Sequence, residues 1–323
     1  MAGKEHRVVT LGEAMLRLTA PAGERLARTG RLRSYVAGSE ANVARALAAL
    51  GVPVSWVSAL PRSPLGERVL AELRAAGVDT SHVQRSERGR LGLFFVEQGA
   101  GARPSRVLYD RAGSAFALMD SLPPRALEGA SHAVVSGVTP ALGARTRRLA
   151  QSFAEQARRA GALLCVDVNY RSMLWSPAQA RRGLSELLAQ AEVVLCSERD
   201  ARSVFGLAGS AAELARPFAA RWAPRASTVV ITRGERGSVM LRGRELLEAP
   251  AHGVEVLDRF GAGDAFMAGL LWGMCSGERA ADSLALASAL AALNCTVLGD
   301  AAEFTAQELR AAVQQPSQEP ILR

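Results

Sequence analysis

The chain has 323 residues, 49% of them hydrophobic and 22% charged, enough for one large α/β domain with a well-buried core or for two modest ones. No apolar run approaches the roughly 20 residues that span a bilayer, and "MAGKEHRVVTLGEAM" enters a strand-like segment with no signal-peptide core. A cytoplasmic protein without membrane contact is expected. The formal net charge of +8 suits anionic partners, but the arginines are scattered over helix-like segments and aromatics make up only 5%, which argues against nucleic acid and for a small anion.

Short β-branched runs alternate with helical patterns along the chain. "RVVTLG" reads as a strand, "EANVARALAALG" as a helix, "VSWVSAL" as a strand and "PLGERVLAELRAAG" as a helix. "HAVVSG", "ARTRRLAQSFAEQARRAG", "LLCVDVN", "PAQARRGLSELLAQ", "EVVLCS" and "STVVITR" continue the rhythm, and helices follow Gly261. This alternation predicts a mostly parallel sheet covered by helices on both faces. Residues 14–37 and 88–112 break it: they read as strands and turns without a helix, as a small β lid would. The α/β core is then assigned to 1–13, 38–87 and 113–323.

Cys165, Cys196, Cys275 and Cys295 lie far apart with no C-x-x-C, and His6, His82, His132 and His252 form no H-E-x-x-H pair. Neither a disulfide nor a structural metal is predicted.

Ligands of open α/β sheets collect outside the carboxyl ends of the strands. The richest strand-to-helix junction is "VEVLDRFGAGDAFMAGLLWG", where Gly261 and Gly263 permit a tight turn and Asp264 stands in the first helical turn. Asp264 reads there either as a capping acid or as a functional carboxylate. The segment is not a Walker A loop, and Phe266 breaks G-x-G-x-x-G.

"LDRFGAGDAFMAGLL" resembles the carboxy-terminal signature of the ribokinase-like, or PfkB-type, carbohydrate kinases. "YVAGSEANVARALAALG" resembles their amino-terminal Gly-Gly signature, with Ala37 in place of the first glycine and Gly38 matching the second. Within that family "VLYDRAGSAFALM", "SGVTPAL", "VDVNYRSMLWSP" and "TVLGDAAEF" look most like 2-keto-3-deoxygluconate kinases. The resemblance implies an α/β fold with a ribokinase-like, Rossmann-type three-layer α/β/α core and a small β-sheet lid. It also implies ATP- and Mg²⁺-dependent phosphorylation of 2-keto-3-deoxygluconate to its 6-phosphate. Alternatives within the family are the galactonate epimer, fructose, ribose or a nucleoside. A non-catalytic, sugar-responsive regulatory protein of the same fold is the alternative outside catalysis.

Residue by residue, the resemblance makes Asp264 the general base and Gly261, Ala262 and Gly263 the anion hole. It places substrate contacts at Gly38, Asn42, Phe94, Tyr109, Arg111, Asn169 and Arg171. Arg111 and Arg171 suit a sugar-acid carboxylate because a guanidinium is a planar, bidentate partner. A plain helix start capped by Ser39 is the lesser alternative for Gly38 and Asn42. Nucleotide contacts are implied at Ser197, Thr232, Gly234, Gly237 and Asn294, and a water-mediated Mg²⁺ contact at Asp200. Asp258 resembles the aspartate of a monovalent-cation (K⁺) site. Three positions depart from the pattern: Phe94 replaces a common tyrosine, and Ser197 and Asp200 replace the Asn and Glu of an Asn-x-x-Glu motif. A homo-oligomer is expected, because the apolar lid strand "LGLFFV" would otherwise leave a sticky edge.

Overall fold

The computed structural model describes residues 6–99 and 102–314. Its strands are β1 (Val8–Leu11), β2 (Met15–Thr19), β3 (Arg33–Ala37), β4 (Val54–Pro61), β5 (Val83–Ser86), β6 (Gly92–Glu97) and β7 (Arg106–Asp110). They continue with β8 (His132–Ser136), β9 (Leu163–Asp167), β10 (Val193–Ser197), β11 (Thr228–Thr232), β12 (Ser238–Arg242) and β13 (Glu245–Ala249). The helices are α1 (Ser39–Ala49), α2 (Pro64–Ala75), α3 (Val138–Ala141), α4 (Ala144–Ala160) and α5 (Pro177–Leu188). After them come α6 (Glu198–Ser203), α7 (Ala211–Trp222), α8 (Ala262–Cys275), α9 (Ala280–Cys295) and α10 (Ala306–Gln314).

The main sheet has nine strands in the order β13-β12-β11-β10-β9-β8-β1-β4-β5. From β5 to β11 all neighbours are parallel, and β12 and β13 are added antiparallel by hairpins. Its central strands are buried on both faces, so they read as continuous apolar runs. One face packs on Phe153 of α4, Leu184 of α5 and Phe218 of α7, all fully buried. The other packs on Leu47 of α1, Leu73 of α2, Leu271 of α8 and Leu290 of α9. The result is the three-layer α/β/α core. Local signals agree with it: α5 starts at a Ser176–Gln179 capping box with Pro177 in its first turn.

A separate four-stranded sheet has the order β3-β2-β6-β7, with β2 and β6 parallel and both outer pairs antiparallel. Its packed face is Met15, Ala37, Phe94 and Val96, with Phe260 of the core against it. No helix among the described residues is long and apolar enough to cross a membrane.

Three side chains of metal-binding type that lie far apart in sequence meet in the fold. His6, His132 and Cys275 converge, with a ligand atom of each within 4.8 Å of the others. Sequence spacing could not reveal this, because the three meet only through the pairing of β1 with β8 and the course of α8.

Candidate active site

β9, β10 and β11 end side by side, and their last residues Asp167, Ser197 and Thr232 open into a cleft of about 400 Å³. Gly261, Ala262, Gly263 and Asp264 close its other side at the start of α8. Gly261 has a left-handed φ of 80°, and a Cβ there would collide with the Asp300 carbonyl, so both conformation and space demand glycine. Gly263 differs: a Cβ would meet no protein atom within 4 Å. No side chain caps α8, so its first-turn amides remain available to a ligand in the cleft.

Asp264 is not a cap. Its Oδ1 accepts from Ser39 Oγ at 2.6 Å and its Oδ2 from Asn42 Nδ2 at 2.8 Å. Asn169 Nδ2 donates to Ser39 Oγ at 3.1 Å, so α1, the end of β9 and α8 are tied through one carboxylate. Burial raises the Asp264 pKa, opposed by the Ser39 and Asn42 hydrogen bonds and by the Arg171 charge. Ser39 does not cap α1, whose N-cap is Gly38. Gly38 is required by space, since a Cβ would strike the Glu13 carbonyl.

Two further carboxylates line the cleft. Asp167 is held well above the ordinary range by burial and then by the Asp264 charge, with Arg171 opposing and Asp200 adding. Asp200 is buried, and its backbone N–H donates to Ser197 Oγ at 3.0 Å, so Ser197 caps α6 while lining the cleft. Asp167 and Asp200 thus both offer carboxylate oxygens to the cleft, the donor type that Mg²⁺ takes one or two of while keeping several waters.

The structure sorts the remaining expected residues. Asn169, Arg171, Ser197, Asp200 and Thr232 line the cleft. Phe94 and Tyr109 stack in the small sheet with ring centroids 5.6 Å apart, and Phe94 lies 6.4 Å from the Phe260 ring. Arg111 forms an ion pair with Glu13, with Nε 3.0 Å from Oε2. Arg171 forms no ion pair among the described residues. Gly234 and Gly237 belong to the turn joining β11 to β12. Asn294 is fully buried and donates from Nδ2 to the Phe260 carbonyl at 2.7 Å, bracing the loop from behind.

Asp258 is engaged by a cation of the protein itself. Arg17, on β2, pairs with Asp258 and, at 2.8 Å, with Asp300, and its guanidinium lies 4.7 Å from both the Tyr35 and Phe260 ring centroids. Sequence reasoning passed over Arg17, Glu13 and Asp167, and weighed Ser39 only as a helix cap. Of these only Asp167 left a readable signal, as the acid closing the apolar run "LLCVD" two residues before Asn169.

A buried carboxylate beside exposed helix-start amides, at the carboxyl edge of a parallel sheet, defines the site of a small-molecule phosphotransferase. Residues 5–306 match the profile of the pfkB family carbohydrate kinases, and the chain belongs to that family. It is 40% identical over 304 residues to a 2-dehydro-3-deoxygalactonokinase of Haloferax volcanii, covering 94% of this chain and 95% of the relative. A 2-dehydro-3-deoxygluconokinase of Bacillus subtilis is 29% identical over 300 residues, 90% of each chain. Among solved structures, a 2-dehydro-3-deoxygluconokinase from Thermotoga maritima superposes with a TM-score of 0.91 at 29% identity, covering 98% of this chain and all of that one.

Proposed function

We propose that the protein transfers the γ-phosphoryl group of ATP to the primary C6 hydroxyl of a six-carbon 2-dehydro-3-deoxy sugar acid. The observation that carries this reading is Asp264 fixed by Ser39 and Asn42 at the start of an uncapped helix. In it, Asp264 takes the hydroxyl proton while the amides of Gly261, Ala262 and Gly263 receive the phosphoryl oxygens. Asp167 and Asp200 would hold Mg²⁺, through water in the case of Asp200, and the ion when bound would supply charge neutralisation on the phosphates. Thr232 and Ser197 face the nucleotide.

Arg171 receives the C1 carboxylate, since it lines the cleft and has no acid partner among the described residues. Arg111 acts mainly through Glu13. The small sheet covers the sugar and excludes water from the reaction. The 40% relative favours the galactonate epimer as the first substrate to test, with gluconate next. Arg17 already places a positive charge between Asp258 and Asp300, so turnover needs no K⁺. Exposed Leu108 on the edge strand β7 supports a homo-oligomer joined through the small sheets.

The test is a panel of the two sugar-acid epimers, fructose and ribose assayed with Mg²⁺-ATP for ADP release. Higher kcat/KM for a sugar acid supports the proposal, and preference for a neutral sugar rejects it. Sugar-acid binding without any turnover would instead mark a regulatory protein of this fold.

A further inference from the structure

At the amino edge of the main sheet, opposite the cleft, three residues with metal-binding side chains meet. His132 opens β8, and the β1 register pairs it with Val8, which brings His6, two residues earlier, alongside. The His6 and His132 ring centroids are 6.1 Å apart. Cys275 is the last residue of α8 and places its Sγ 3.7 Å from His132 Nδ1. We infer that His6, His132 and Cys275 form a site for a borderline-soft divalent cation, Zn²⁺, about 20 Å from the catalytic cleft, the length of α8.

The geometry fits the ion. Zn–N near 2.05 Å and Zn–S near 2.3 Å in a tetrahedron place nitrogen and sulfur about 3.6 Å apart. The three ligand atoms lie within 4.8 Å of one another, so closure needs shifts of roughly 1 Å. A simple S–H···N hydrogen bond would account for Cys275 and His132, but it gives His6 no part. The His6 Nδ1 is enclosed and has no hydrogen-bond partner. Ser131 Oγ lies 2.9 Å from His132 Nδ1 and also reaches the Arg7 carbonyl at 3.1 Å. Its proton can therefore go to that carbonyl, which leaves the imidazole lone pair to a metal. His132 is buried whereas His6 and Cys275 are part-exposed, so the ion enters from solvent and a water completes the fourth position. Binding releases the Cys275 thiol proton to solvent, and both imidazoles bind neutral.

The experiment uses the full-length, reduced protein freed of metal by chelation and titrated anaerobically with Co²⁺ and then Zn²⁺. One equivalent of Co²⁺ should give a thiolate-to-cobalt charge-transfer band, which carboxylates in the cleft cannot produce, and Zn²⁺ should abolish it. Zn²⁺ should also raise the thermal midpoint by a few degrees. Cys275→Ser should remove the band and the thermal shift. His6→Gln, near the start of the described chain and outside the core, should weaken Co²⁺ binding at least about tenfold. His252→Gln should leave binding unchanged. Absence of the band in the wild type overturns the site. So does a band that survives Cys275→Ser, or unchanged affinity in His6→Gln, the variant that decides the matter if Cys275→Ser does not fold.

Discussion

Two opposing demands meet at Asp264: burial raises its pKa, while Ser39 and Asn42 donate to the carboxylate and lower it. A general base must be ionised to act. Activity should therefore fall as pH drops through a pKa above the ordinary carboxylate range. Asn42→Ala removes one donor and should move this acid limb of kcat upward by about one pH unit, the worth of a hydrogen bond to a charged group. A limb that stays in place would assign it to another group. Asp264→Asn should lower kcat by about 10²-fold or more in a protein whose melting is unchanged or raised, because the substitution removes a buried charge. Near-normal turnover would remove Asp264 from the mechanism. Gly263 permits a cleaner separation of fold from function. The protein has room for a methyl group there, so Gly263→Ala should preserve stability or raise it by up to about 1 kcal/mol. In the proposed mechanism the same methyl would stand where phosphoryl oxygens approach the amides, and kcat/KM for ATP should fall at least about tenfold. Equal loss of stability and activity would place the need for glycine in the fold.

Among the elements, β2 is joined to the loop before α8 and the loop after α9 by a contact that no periodicity predicts. The alternation of apolar runs made the parallel sheet and its helices legible, because strands buried on both faces need continuous hydrophobicity and surface helices need a 3.6-residue stripe. The glycines and Asp264 were legible as a strand-to-helix junction. Arg17 was not, since an arginine inside a short strand reads as a solvent-facing residue, and its partners Asp258 and Asp300 lie more than 240 residues away in sequence. Ser39 read as a helix cap because the hydroxyl's actual partner, Asp264, arrives from the far end of the chain. His6, His132 and Cys275 were invisible for the same reason. Arg17 is buried with both acids, so Arg17→Met should cost about 3–5 kcal/mol by leaving two enclosed carboxylates without their cation. Burial already holds Asp300 up at about 7, against the pull of Arg17. Without the arginine its folded pKa rises further above the unfolded value, so the penalty is relieved by protonation at low pH and grows as pH rises through neutrality. Chemical denaturation at pH 6 and pH 8 should show the variant losing more stability at pH 8. An equal loss at both would mean that Arg17 acts through packing on Tyr35 and Phe260 rather than through charge.

For the molecule as a whole, the net charge of +8 matters where field and cleft coincide. The cleft is lined by Arg171, Arg199 and Arg259, while Asp167, Asp200 and Asp264 stand among them. Arg199 is partly satisfied by Asp200 at 3.3 Å, which leaves Arg171 and Arg259 without an ion-paired acid among the described residues. An anionic sugar acid should be drawn to this rim, and the attraction should weaken as salt screens it over about 8–10 Å. At saturating Mg²⁺-ATP, kcat/KM for the sugar acid should fall severalfold between low and physiological ionic strength, with much less change for any neutral sugar that reacts. Arg171→Ala should reduce the sugar-acid value by about 30-fold, near 2 kcal/mol, the lower end for a charge pair because Arg171 is exposed. Arg171→Lys should recover the salt dependence but only part of the rate, since an ammonium restores the field without the planar fork. The two variants thus separate steering from clamping. If Arg171→Ala lowers neutral and acidic sugars alike, Arg171 supports the cleft rather than a carboxylate, and the substrate class must be sought among the neutral sugars.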